Sequence, residues 1–218
     1  NLALPSIAGD FNTTAIELGW IASSFILSCV IFLLPFGRLA DIVGRKKIFT
    51  CGISLFTLST FLIIFSWNIE SLIIFRIFQG ISAAMIFGTS LAILTSVFGP
   101  GERGKAMGIN ITAVYTGLSG GPIIGGLLTL HFGCRSIFVF LVPIGFVSLY
   151  LIFMKMKPEW VESRGEKFDW KGSVIYGISM AAAMYGFSKL PSLAGWIFLG
   201  SGIIFGMLFL YYEKRIEN

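Results

Sequence analysis

Charge is the scarcest thing in this chain. Only 12% of its 218 residues are Asp, Glu, Lys or Arg, while 56% are hydrophobic. Soluble domains carry about 25% charged residues. Together with a mean hydropathy of +0.87, this excludes a water-soluble fold and points to an integral, multi-pass membrane protein. Histidine is almost missing. The one copy, His131, falls at an expected membrane boundary; there an interfacial polar residue is a plainer reading than a proton relay. Cys29, Cys51 and Cys134 share no spacing, so they supply neither a metal set nor a disulfide framework. No nucleophile–base pair, metal cluster or phosphate-binding loop occurs. The sequence therefore offers no enzyme chemistry and no cofactor site. A net charge of +5 would suggest an acidic partner for a soluble protein. Here the basic residues gather in particular loops, which topology explains better than nucleic acid does. No obligate protein partner is evident; the partner that composition implies is the lipid bilayer.

What is present is a series of long apolar runs. Leu18–Phe36 and Ile48–Trp67 carry no charge, and each is long enough as a helix to cross a ~30 Å hydrocarbon layer. Further spans are expected at Leu72 to about Phe98, about Ala106 to Leu130, Ile137–Met154, Val174–Leu190 and Trp196–Tyr212. The chain opens at Asn1 on Leu2-Ala3-Leu4-Pro5, which reads as the end of a first helix, and Glu213–Asn218 reads as a loop cut before whatever follows. An internal fragment is expected.

The first two complete spans flank Gly37-Arg38-Leu39-Ala40-Asp41-Ile42-Val43-Gly44-Arg45-Lys46-Lys47, read as a charged turn bracketed by glycines. Short basic loops stay in the cytoplasm, so this turn orients every other span. With Arg38 to Lys47 inside, Arg135 and Lys189 fall outside and Arg76 within a span; the other thirteen of the sixteen basic residues lie inside. One missed or invented span would destroy that bias.

An echo runs through the chain. Val43-Gly44-Arg45-Lys46-Lys47-Ile48-Phe49 is similar to Phe132-Gly133-Cys134-Arg135-Ser136-Ile137-Phe138: a basic residue two places after Gly, then an Ile-Phe pair. The first turn is expected inside and the second outside, as an inverted three-plus-three repeat requires.

Three stretches carry more chemistry than packing requires. In the charged turn, Gly37 permits close backbone approach and Gly44 a tight reversal. Asp41 can face a helix N-terminus or pair with Arg45, giving a latch of modest strength; a solvated loop whose charges only set topology is the other reading. Arg76 stands about five residues inside a span, where a cation costs at least ~2.5 kcal/mol. It either needs a partner in the bundle or snorkels to the interface. Gly117, Gly121 and Gly125 recur every fourth residue and form a smooth ridge on which another helix can pack, and Pro122 removes a backbone bond and is expected to kink the helix near Leu118.

Gly37-x-Leu39-Ala40-Asp41-x-x-Gly44-Arg45-Lys46-Lys47 resembles the signature loop between the second and third helices of the major facilitator superfamily. The resemblance implies that Asp41 and Arg45, in a loop that includes Arg38 and Lys46, fasten the outward-facing state. Arg76-Ile77-Phe78-Gln79-Gly80 resembles the superfamily's fourth-helix pattern, which implies a part in proton coupling for Arg76 with Gln79 and Gly80. Gly117-Leu118-Ser119-Gly120-Gly121-Pro122-Ile123-Ile124-Gly125-Gly126 resembles the fifth-helix motif of the superfamily's antiporters, which bends the helix and seals the interface between halves. Asn1-Leu2-Ala3-Leu4-Pro5-Ser6-Ile7, Trp20-Ile21 and Arg135-Ser136-Ile137-Phe138 are similar to the fourteen-span drug:proton antiporters. Cys134 departs from them, an aromatic being commoner there.

The resemblance implies an all-α membrane protein, a facilitator-superfamily bundle with an inverted three-plus-three repeat. Residues 1–154 are expected to form the N-terminal six-helix half with helix 1 truncated, residues 155–171 a cytoplasmic loop, and residues 172–218 a linker hairpin leading into the next loop. The implied function is export of amphipathic drugs or small metabolites in exchange for protons by alternating access. A non-transporting membrane sensor of the same fold, or a twelve-helix importer of small organic solutes, are the rival readings. No Asp or Glu lies within the expected spans, so the substrate is not legible and an acidic proton carrier is expected outside these residues.

Overall fold

A computed structural model describes residues 14–156 and 168–216. The expected end of the first helix, and Lys157, Arg164 and Lys167 of the polar loop, lie outside the described residues. Those described form helices joined by short turns, with no strand. The helices are α1 (Ala15–Val43), α2 (Arg45–Ile64), α3 (Ile69–Val97), α4 (Arg103–Phe132), α5 (Ser136–Lys155), α6 (Trp170–Ser188) and α7 (Leu193–Ile216). Thus α1 to α5 carry the second to sixth spans of the sequence, and α6 and α7 the last two. All but α6 are long and apolar enough to cross a membrane.

The helices overrun the apolar stretches at their ends. The charged segment is not an open turn: α1 runs through Gly37–Val43, α2 begins at Arg45, and Gly44 alone separates them. Likewise Arg103 and Lys105 belong to α4, and Glu213–Arg215 to α7, where a loop was expected. The reason is solvation. An apolar run marks only the part of a helix that sits in hydrocarbon, and the same helix continues into the interface, where charged side chains are hydrated. The α4 helix also runs unbroken through Pro122.

Reciprocal capping boxes set the starts of α1 and α3. Thr14 accepts from the Glu17 amide while Glu17 Oε2 accepts from the Thr14 amide at 2.8 Å, and Asn68 and Ser71 do the same for α3. Each pair satisfies two amides that have no partner within the helix.

The burial pattern inverts that of a soluble protein. Trp67, Leu130 and Phe132 are three-quarters or more exposed, at 75%, 79% and 76%, as side chains facing lipid would be. The buried interior has two apolar ends. Ile21, Ile63, Leu72, Cys134 and Phe138 form one cluster, and Ala40, Ile48 and Met85 the other. Between them lie small or polar residues: Ser24, Ser28, Thr57, Thr60, Gln79 and Ser82. The hydroxyls of Ser28, Thr57 and Thr60 donate to carbonyls four residues back, so they are satisfied within their own helices. Small side chains let the helices approach where apolar bulk gives no advantage over lipid.

The α1 and α3 helices approach closely at two glycines. A Cβ at Gly80 would overlap the Phe25 carbonyl and lie 2.8 Å from Ser28 Cβ. At Gly88 it would sit 3.2 Å from the Leu33 carbonyl and 3.3 Å from the Gly37 amide. The α2 helix packs against α3 on one side and α5 on another, while α4 meets α3 and α5 only lightly. The antiparallel pair α6–α7 rests on α1: Tyr176 donates to the Val30 carbonyl at 3.1 Å, and Tyr185 stacks on Trp20 at 6.2 Å.

Candidate functional site

The reversal between α1 and α2 is built on one residue. Gly44 has φ 125° and ψ 127°, a conformation that a side chain makes costly, and its amide donates to the Ala40 carbonyl at 2.9 Å. This places Asp41 in the last turn of α1 and Arg45 at the first position of α2. Both charges stand at the unfavourable end of a helix dipole, a carboxylate near a C-terminus and a cation at an N-terminus. They correct each other. Arg45 Nε and Nη2 each approach Asp41 Oδ1 at 2.8 Å, so of the two arrangements open to Asp41 the structure takes the ion pair.

The turn reaches two further helix ends. Arg45 Nη1 donates to Ser96 Oγ at 2.7 Å in the last turn of α3, and Ser96 in turn donates to the Ala92 carbonyl. Lys46 Nζ donates to the Met156 carbonyl, just past α5, at 2.9 Å. Arg38 points elsewhere: with Asp41, Asp169, Tyr176 and Glu213 it lines a cleft of about 850 Å³ between α1 and the α6–α7 pair. Gly37 is the approach point for Gly88 of α3. One turn thus gathers the same-side ends of α1, α2, α3 and α5 through three polar contacts and one glycine crossing. Side-chain exposure of 12% for Arg45 and 29% for Asp41 leaves the pair accessible enough to open. Pairs of this kind contribute on the order of 1 kcal/mol.

A second polar group lies near the other end of the bundle. Arg76 does not snorkel outward; its guanidinium turns into the bundle. Nη1 donates to Gln79 Oε1 at 2.9 Å, Gln79 Nε2 donates to Thr60 Oγ1 at 2.8 Å, and Thr60 donates to the Phe56 carbonyl. The guanidinium carbon lies 5.2 Å from the centre of the Phe138 ring, a cation–π distance. Arg76 Nε is buried without a hydrogen-bond partner, and no carboxylate among the described residues pairs with the side chain. A chain of one fixed cation, an amide and a hydroxyl can hold an incoming anion or a carboxylate. Gly80, next in sequence, lines none of this. It is the α1–α3 crossing point.

The glycine ridge of α4 stands apart from both groups. Around the Cβ positions of Gly117, Gly120, Gly121 and Gly126 nothing lies within 4 Å, and Gly125 meets only Ile137 Cδ1 at 3.7 Å. Tyr115, Thr116, Ser119 and Gly120 line an open groove along the same helix. Among the described residues, then, the ridge has no partner and Pro122 is exposed.

Sequence reasoning missed Ser96, Thr60, Phe138 and Gly88. A trace of Gly88 was there, in its eight-residue spacing from Gly80 on α3, and Phe138 stood in the Ile-Phe echo. Nothing local distinguishes Ser96 or Thr60 from other helix hydroxyls; only packing brings them to a partner.

Comparison with known proteins adds context. Residues 1–215 match the family model described as Major Facilitator Superfamily. The chain is 31% identical over 214 residues to the riboflavin transporter RibZ of Clostridioides difficile, covering 98% of this chain and 47% of that protein. It is 31% identical over 225 residues to the multidrug resistance protein Stp of Mycobacterium tuberculosis (100% and 42%). It is 29% identical to the tetracenomycin C resistance and export protein of Streptomyces glaucescens (89% and 36%). The chain therefore spans about half the length or less of these curated relatives. Among solved structures, a bacterial homologue of the human lysosomal transporter Spinster, inward-facing and unoccupied, superposes with a TM-score of 0.55 at 18% identity, over 85% of this chain and 47% of that one.

Proposed function

The chain belongs to the Major Facilitator Superfamily, a family of membrane transport proteins rather than enzymes, and from that premise we propose that it forms part of a proton-coupled exporter of amphipathic drugs or small metabolites. Residues 1–154 supply the N-terminal six-helix half, 155–171 a cytoplasmic loop and 172–218 a linker hairpin. The partners are a small-molecule substrate, protons and the surrounding bilayer.

The observation that carries this reading is the double engagement of Arg45. It holds Asp41 and Ser96 at once, so a single ion pair ties three helix ends on the basic side of the bundle. Opening that pair releases the end of α1 from Arg45 and its contact on α3 without breaking any helix. Such a contact suits a step that must close and reopen in each cycle. Three features support export and proton coupling: the multidrug and export relatives, the α4 glycine ridge left without a partner among the described residues, and half-buried Arg76 with its buried, unpaired Nε.

The test uses the full-length protein in liposomes with an imposed proton gradient and ethidium as the transported probe. Gradient-driven ethidium movement is expected, and Asp41→Asn is expected to slow it at least tenfold with the protein still folded. Binding without flux would instead support a membrane sensor. One observation favours a second reading: the similarity to a riboflavin transporter makes a planar, weakly charged heterocycle an alternative cargo. Riboflavin flux without ethidium flux would establish that instead.

A further inference from the structure

Acids suit helix starts and cations suit helix ends. The α1 and α3 helices obey, with Glu17 and Glu70 in their first turns and side-chain caps. The α2 and α5 helices depart from this rule together. One opens on Arg45, Lys46 and Lys47 and the other follows Arg135; neither has an acid in its first turn or a side-chain cap. Both are preceded by a glycine of positive φ, Gly44 at 125° and Gly133 at 80°. (Arg103 of α4 also stands at a helix start, but it donates to the nearby Phe98 carbonyl.)

The two departures answer each other. Lys46, at the start of α2, donates to the Met156 carbonyl at the end of α5, 2.9 Å away. Arg135, at the start of α5, donates through Nη2 to the Ser66 carbonyl beyond the end of α2, at 3.1 Å. The last carbonyls of a helix have no partner within it and collect partial negative charge, so each cation meets the group that its own helix start could not offer. Between the two ends, Gly145 of α5 lies so close to Thr57 of α2 that a Cβ there would overlap the Thr57 hydroxyl. Thr57 is eleven residues past Lys46 and Gly145 ten past Arg135, so this closest approach falls midway between the two contacts.

We propose that Lys46 and Arg135 are reciprocal clamps that join α2 and α5, at both ends of the bundle, into one two-helix unit of fixed internal geometry. Each residue is a positioning residue for the opposite helix. That the unit stays fixed while other helices rearrange rests on the transport reading; the clamps themselves do not.

Hydrogen exchange on the full-length protein in lipid nanodiscs tests the clamps. Arg135→Gln should speed amide exchange roughly tenfold in residues 61–66, across the bundle from most of its own helix, and leave residues 152–156 at the wild-type rate. Lys46→Gln should do the reverse. Arg135→Lys and Lys46→Arg should restore protection, which separates a lost clamp from a misfolded variant. Faster exchange confined to the mutated helix's own start, or spread evenly over all helices, would overturn the proposal. Spin labels on exposed Phe61 and Val139, and on Cys51 and Phe153, should give superimposable distance distributions in acid and alkaline buffer, with and without ethidium. A shift in either pair would overturn the fixed unit. Failure to move either ethidium or riboflavin would defeat the transport reading and leave both of these results standing.

Discussion

Replacing Gly80 by Ala adds one methyl group at a crossing where α1 and α3 lie close together. The new Cβ would overlap the Phe25 carbonyl and lie 2.8 Å from Ser28 Cβ. Neither neighbour can yield: the first is helix backbone and the second is fixed directly to it. The α1 and α3 helices must therefore separate, by on the order of 1 Å. A gap of that size forfeits a quarter to a half of each ~0.1–0.2 kcal/mol contact. Across the few tens of atom pairs at such a crossing, the loss is about 1–3 kcal/mol, the usual range for overpacking. Alanine's better helix propensity returns up to ~1 kcal/mol. The net loss is about 1–2 kcal/mol, or a fall in melting temperature on the order of 5 °C for a unit of this size. The assay is thermal unfolding in detergent followed by a thiol-reactive dye, since buried Cys134 becomes reactive as the bundle opens. Gly19→Ala and Gly200→Ala provide the contrast, because nothing lies within 4 Å of either Cβ position; both should match or exceed wild type. If Gly80→Ala melted with wild type, or if the two controls fell as far, the reasoning from helix contact would be refuted.

Two further substitutions probe the candidate sites. Gly44→Ala forces a side chain into φ 125°, ψ 127°, which costs ~1–3 kcal/mol; lower thermal stability and weaker Asp41–Arg45 pairing are expected, the latter seen as faster proteolysis at residues 43–46. Gln79→Leu keeps the volume but strips the amide between Arg76 and Thr60, leaving a buried cation with one fewer acceptor at a cost of ~1–3 kcal/mol. In proteoliposomes it should abolish gradient-driven ethidium movement while Gln79→Glu retains part of it, and equal activity of wild type and Gln79→Leu would exclude this group from proton coupling.

Some of these features could be read one residue at a time and others could not. The ion pair of Asp41 and Arg45 was one of two arrangements visible in the chain, because they stand four positions apart across the reversal at Gly44. That Arg45 would also hold Ser96, fifty-one residues later, was not visible, since many helix hydroxyls have the same local surroundings. Arg76 was conspicuous as a lone cation in an apolar run. Gln79, three residues on along the same helix, was named beside it, but Thr60 was not, because a partner on another helix depends on rotation and depth. Helix ends were misplaced for a different reason: hydropathy follows the hydrocarbon, and helices extend beyond it.

The sequence by itself determined the number and order of the apolar runs, their membrane character and the two glycine-led turns at Gly44 and Gly133. These follow from composition and from backbone conformations open only to glycine. Tertiary structure alone decided which helix ends meet. The link from Lys46 to Met156 and that from Arg135 to Ser66 exist because two antiparallel helices bring each start beside the other's end, a relation that separations of 110 and 69 residues conceal.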